Sequence, residues 1–198
     1  MASWTDDREK DLFGGGGNIE RLTMKEGKYT IRILGQPRLF RFHWVNKVNR
    51  SVITDPNLPP SSELAAIDRG QLKYVCNVID RADGLVKLWE FSRRVKTSIV
   101  SIAEDYGSPE GYDLIVTRKG MKAEDTTYTI IPTRESVPLT EEERTLPQYD
   151  LEKLYAPTPE EKVTSFLEGV IPQKVEGKSF STESSSATSV VADDLPTL

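Results

Sequence analysis

From Lys28 to Leu34 the chain alternates, with Tyr29, Ile31 and Ile33 on one side of an extended segment and Lys28, Thr30 and Arg32 on the other. That is the period of a half-buried strand. Gly35-Gln36-Pro37 predicts a turn, and the run Arg38-Leu39-Phe40-Arg41-Phe42-His43-Trp44-Val45, rich in strand-favouring aromatics, predicts a second strand. The segment 49–70, polar and carrying Asp55-Pro56 and Pro59-Pro60-Ser61-Ser62, reads as a long loop excursion. Pairing resumes from Leu72 to Ile79 and from Leu85 to Glu90 around Ala82-Asp83-Gly84. Asp-Gly between alternating runs is a strong hairpin signal.

Ser92 is placed to cap a helix whose Val95, Ile99 and Ile102 form one apolar stripe, ending near Tyr106-Gly107-Ser108-Pro109. Tyr112 to Thr117 and Thr126 to Ile131 predict two further strands. The expected domain spans 28–134 and is mainly β, with a single helix before the last two of five or so strands. This is the element order of an OB-fold, a small five-stranded, partly open barrel. A generic α+β sandwich has a similar order.

On either side the pattern changes. Residues 1–27 hold Gly14-Gly15-Gly16-Gly17 and read as a flexible arm, because no strand precedes the glycines to make them a phosphate loop. In the acidic extension 135–178, Gln148 to Leu154 and Pro159 to Leu167 are short helical candidates, placed either to pack back on the barrel or to mediate self-association. From 179 to 198 the chain is Ser- and Thr-rich and then acidic, with too little apolar surface to offset ordering, and is expected to be disordered.

Charge divides along the same boundaries. The segment 28–134 carries 17 Lys and Arg against 12 Asp and Glu, whereas 135–198 carries 5 against 13 and 1–27 carries 4 against 6. A basic, aromatic-bearing body joined to an acidic tail suits a chain that holds a polyanion with the first and meets proteins with the second, the alternatives being a non-catalytic protein-interaction adaptor barrel or an RNA-preferring single-strand binder. Tracking a single nucleic-acid strand needs cations for phosphates and exposed rings for unstacked bases. Candidate phosphate contacts are Lys28, Arg32, Arg38, Lys47, Lys73, Lys87, Arg118 and Lys119, and candidate stacking rings are Trp89 with some of Phe40, Phe42, Trp44 and Tyr74. Trp89 shares its side with Lys87 and is expected to be exposed. For Phe40, Phe42 and Trp44 the core and platform readings both stand. Arg93, Arg94 and Lys96 crowd a helix start, where the dipole does not favour cations, which points to another use for them or to a solvated face.

Chemistry of other kinds finds little support. His43 and Cys76 are each the sole residue of their type, so there is no zinc-ligand cluster and no intrachain disulfide, and a structural His and a core Cys are expected. Asp80 with Asp83 and Glu104 with Asp105 are explained by a turn and a helix end, so no enzyme and no cofactor is expected. No apolar run approaches membrane-spanning length and no secretory signal opens the chain, making a cytoplasmic location the default.

Cys76 to Pro132, with Val78-Ile79-Asp80-Arg81, Asp83-Gly84, Tyr106-Gly107, Gly111-Tyr112-Asp113, Thr117-Arg118-Lys119-Gly120 and Thr127-Tyr128-Thr129-Ile130-Ile131-Pro132, resembles the single-stranded DNA-binding proteins of tailed bacteriophages over about half the chain. Phe42-His43-Trp44 extends the likeness. The resemblance implies an OB-fold that coats single strands during replication, recombination and repair without reading sequence. Some relatives carry a zinc-binding insertion, but 49–70 has neither Cys nor His, so no structural zinc is expected. The end Asp193-Asp194-Leu195-Pro196 looks like the acidic partner-docking tip of bacterial single-stranded DNA-binding proteins. Thr197-Leu198 follow where that tip has Phe, so the same host receptors are not implied, while a phage replication or recombination protein stays open as partner.

Overall fold

One strand of 19 residues, β1 (Gly27–Val45), is the spine of the molecule. The structure, a computed structural model, describes residues 19–120, 125–133 and 138–171. The four-glycine run and the tail from residue 179, with its Asp193-Asp194-Leu195-Pro196 tip, lie outside the described residues. The expected turn at Gly35-Gln36-Pro37 is a bulge inside β1, where register passes from Leu34 opposite Asn77 to Arg38 opposite Val75. Pro37 has no N–H for the ladder and Gly35 takes a φ of +70°, so the strand bends without reversing.

The expected excursion 49–70 contains structure as well. Asn49, at a φ of +54°, turns the chain into β2 (Arg50–Thr54), which pairs with Arg41 to Val45. Asn tolerates that conformation, and Ser51-Val52-Ile53-Thr54 is a β-branched run. Helix α1 (Ser62–Ile67) follows, with Ser61 capping Leu64 N. Then come β3 (Gln71–Asp80), β4 (Val86–Ser92), α2 (Arg93–Tyr106), a 3-10 turn at Pro109–Gly111, β5 (Leu114–Lys119) and β6 (Thr127–Pro132).

All strand pairs are antiparallel, in the order β4-β3-β1-β5-β6 with β2 also on β1. The fold is therefore mainly β, an open six-stranded sheet rather than the expected five-stranded barrel. β4 does not reach β6 because its outer edge is already taken: Leu22 N donates to Leu88 O and Leu88 N to Glu20 O, each at 2.9 Å. Residues 20–24, expected within the flexible arm, thus dock on the sheet, with Leu22 and Met24 buried.

Strand alternation gives the sheet two faces. The inner face carries Ile31, Ile33, Cys76, Val78, Trp89, Phe91, Leu114 and Val116, closed by Val95 and Ile99 of α2. On the outer face run Arg32, Leu34, Arg38, Phe40, Phe42 and Trp44 of β1, and its middle is covered by the acidic extension packing back. α3 (Glu141–Thr145), opened by a capping box between Thr140 and Glu143, and α4 (Leu151–Leu154) form a strap. Leu139, Leu146 and Tyr149 cover Leu34, Ile79 and Val86. Tyr155 and Leu154 cover Phe40, Val75 and Leu88. Each fully buried apolar side chain is worth about 1.5–3 kcal/mol, so the strap is a fixed layer of the fold. α5 (Glu160–Glu168) packs Phe166 and Val163 on Val45, Val52 and Leu64.

Candidate nucleic-acid interface

Past the strap, the far end of β1 carries an aromatic pair, of which Phe42 packs against the edge of the Phe40–Tyr155 cluster. Phe42 and Trp44, two residues apart and both half-buried, hold their rings 6.4 Å apart and within 18° of parallel. Lys73 of β3 sets its ammonium 4.3 Å from the Phe42 centroid, a cation on a ring face. Ser92 stands opposite Lys73 across β3 and β4, which brings the exposed Arg93 and Arg94 at the start of α2 to the same end of the sheet. None of Lys73, Arg93 and Arg94 is held in an ion pair among the described residues. Ser92 itself makes no side-chain capping bond and no acidic residue lies in the first turn.

This end of β1 is held rigidly from below. Trp44 N donates to Asp68 Oδ2 at 2.7 Å and Gly70 N to Asp68 Oδ1 at 2.9 Å. Burial works to raise the Asp68 pKa, but those two N–H groups outweigh it and hold the carboxyl below its ordinary value. His43 is fully buried, with Nδ1 2.9 Å from Asp68 O and Nε2 3.0 Å from Thr54 Oγ1. A carbonyl only accepts, so Nδ1 carries a proton toward Asp68 O, and the Thr54 hydroxyl, which can donate or accept, pairs with Nε2. His43 is the satisfied structural histidine that its sequence context implies.

Several expected contacts are elsewhere. Trp89 is 2% exposed, its ring 4.6 Å from Phe91 on the inner face, and is no stacking platform. Both sides of β4 are covered, one by the core and one by the strap, so its Lys-Trp side is not a surface. Phe40 is 1% exposed against Tyr155 at 4.6 Å. Tyr74 stacks on Phe91 on the inner face, 5.9 Å away, opposite in sense to Phe42.

Among the cations, Arg32 is buried and gives Nε to Asp113 at 2.7 Å, and Arg38 is paired with Glu152 of the strap. Lys87 lies between Asp80, at 2.8 Å, and Asp83. Desolvation works to lower its pKa, and the two carboxylates outweigh it, leaving the ammonium raised. Arg118 spends its guanidinium on Met24 O and Thr126. Lys47 donates to Leu167 O and Glu168 O, capping the C-terminus of α5. Arg32, Arg38 and Lys87 are thus ion-paired within the fold, whereas Arg118 and the exposed Lys47 keep their charge and are held by neutral oxygens. Lys28 and Lys119 are exposed neighbours on the outer face at the opposite end of β1, roughly 45 Å of strand from Phe42. Of the thirteen expected residues the structure therefore gathers Phe42, Trp44 and Lys73. Arg93 and Arg94, absent from the expected set, start α2 at the same end of the sheet, and their signal was two cations where a helix dipole disfavours them.

Among the described residues no three His, Cys, Asp or Glu side chains converge to hold a metal ion, and no helix is long and apolar enough to cross a membrane. No family model matches the chain, and no curated protein or solved structure matches it either.

Proposed function

We propose that this chain is a non-catalytic, sequence-independent binder of single-stranded DNA that coats and protects strands during phage replication, recombination and repair in the host cytoplasm. One observation carries the reading: two near-parallel rings, Phe42 and Trp44, lie with Lys73 at the end of the sheet where the exposed Arg93 and Arg94 begin α2. Rings accept any base and cations accept the phosphates between them, a combination that is tolerant of sequence. The element order, with one helix before the last two strands, supports an OB-type barrel left open between β4 and β6. Replication or recombination proteins are the proposed partners of the acidic tail.

Titrating the full chain with oligo-dT while following tryptophan emission tests this. Quenching that disappears in Trp44→Phe and survives in Trp89→Phe is expected. Unchanged emission together with no gel shift of labelled strand at low salt removes the reading, and preference for duplex contradicts it directly.

A second reading, a protein-interaction adaptor, draws support from the burial of Trp89 and Phe40 and the internal pairing of Arg32 and Lys87. An adaptor predicts no response to oligo-dT at any salt concentration.

A further inference from the structure

Three strands end the sheet, and two of them are closed by the chain itself. Residues 20–22 cap β4. On β2, Thr158 N donates to Ile53 O at 2.8 Å and Thr158 Oγ1 accepts from Ile53 N at 3.0 Å. Among the described residues β6 pairs only with β5. Thr133 N donates to Asp113 O at 2.9 Å, which fixes the alternation along the ladder. Ile131, Thr129 and Thr127 bond inward to β5, while Tyr128 and Ile130 direct N–H and C=O outward. Those outward groups make no main-chain bond to another element among the described residues.

An open edge usually carries a charge, a bulge or an internal proline that blunts pairing. Thr127-Tyr128-Thr129-Ile130-Ile131 has none of these, and its register with β5 is continuous. We propose that β6 is a self-association edge, pairing antiparallel with β6 of a second copy about a two-fold axis at Thr129. In that register Tyr128 meets Ile130 of the partner and Ile130 meets its Tyr128, so all four outward groups of each copy find complements. Thr129 faces Thr129 on the outer side, a favourable cross-strand pair, and Thr127 faces the half-exposed Ile131. Centring instead on Ile130 sets Tyr128 against Pro132, which has no N–H to give, so the proline disfavours that register. A second copy suits this edge because every opposed pair is uncharged and each polar group meets its counterpart. The inference stands apart from the DNA-binding reading.

A pair that bonds only at its two flanking residues places the Thr129 Cα atoms about 4.5 Å apart, within disulfide reach. The Thr127 Cα atoms are then about 13 Å apart. The experiment uses the full-length chain as Thr129→Cys and Thr127→Cys, oxidised with diamide at high micromolar concentration without DNA and read on a non-reducing gel. Cys76 is fully buried, and wild type reports its background. Covalent dimer from Thr129→Cys in large excess over Thr127→Cys is expected. Equal yields, or a Thr129→Cys protein that stays monomeric, overturn the proposal. In parallel, sedimentation equilibrium should show wild type dimerising and Thr129→Lys, which opposes two ammonium groups, remaining monomeric. A wild type that is monomeric throughout, with the Tyr128 and Ile130 amides protected by the chain's own ends, overturns it too.

Discussion

Asn77 of β3 holds the main chain of Tyr149 by both its polar groups: Nδ2 donates to Tyr149 O at 3.0 Å, and Oδ1 accepts from Tyr149 N at 3.1 Å. A side-chain amide has the same donor and acceptor pair as a backbone peptide, so one buried Asn in a strand seats a segment that is not itself a strand. The clasp sits between the two apolar patches that fasten the strap, and it fixes where residues 138–155 cross the sheet.

Replacing Asn77 with Ala removes both bonds and leaves a peptide N–H and C=O poorly paired under the strap. The expected loss is about 2–4 kcal/mol, read as a lower urea midpoint. Asn77→Asp should be at least as damaging, since its carboxylate oxygen then faces Tyr149 O. A change below experimental error would show that water or a shifted strap replaces the clasp.

Strand parity was legible in the sequence, and burial was not. Arg38, Phe40, Phe42 and Trp44 share a face as their spacing implies, and the Asp83-Gly84 hairpin and the Val95-Ile99-Ile102 stripe stand where expected. Whether a face is exposed depends on what covers it, and for Phe40 that is Tyr155, 115 positions later in the chain. For the same reason Val86 and Leu88, the apolar side of β4, lie under the strap while Trp89 enters the core. β2 was hidden by its polar, proline-bearing surroundings, although Ser51-Val52-Ile53-Thr54 carried the β-branched signal. Thr140-Glu141-Glu142-Glu143, a capping-box spelling, likewise marked α3.

Acid should loosen the strap. The hydrogen bond from Arg81, then that from Thr140 N, holds the Glu143 carboxyl below its ordinary value of 4.5. A depressed carboxylate adds stability that is full above its unfolded pKa and is lost as pH falls through its folded value. Hydrogen exchange of residues 139–155 should therefore accelerate as pH is lowered below 4.5, after correction for intrinsic rates. Glu143→Gln keeps an acceptor for the cap but not the charge, and should weaken the strap at neutral pH and flatten its acid response. An unaltered acid profile in that variant assigns the effect to another carboxylate.

Gly70 has no room for a side chain. Its φ is +76°, and a Cβ there would lie 2.4 Å from His43 Cε1. The backbone cost alone is about 1–3 kcal/mol, and His43, bonded at both nitrogens, has nowhere to move. Gly70→Ala should lower thermal stability by at least that amount and release Asp68 from Trp44 N. Retention of wild-type stability would mean that the 68–70 turn rebuilds without strain.

The two described tryptophans separate binding from folding. Trp44 is half-buried beside Phe42 at the proposed binding end, and Trp89 belongs to the core. Trp44→Ala should weaken single-strand affinity by about 1–3 kcal/mol, the value of one stacked base, with little change in the urea midpoint. Trp89→Ala should destabilise by about 3–5 kcal/mol. Arg93→Ala with Arg94→Ala should reduce the slope of log affinity against log salt by roughly 0.7 for each phosphate left without its arginine, and sequence preference should not change. Isotherms at several salt concentrations measure both quantities, and each pair of outcomes is asymmetric. Should Trp44→Ala and the double arginine variant both bind as wild type does, that end of β1 is not where the strand lies. The exposed Lys28 and Lys119 at the opposite end would then be the next residues to change.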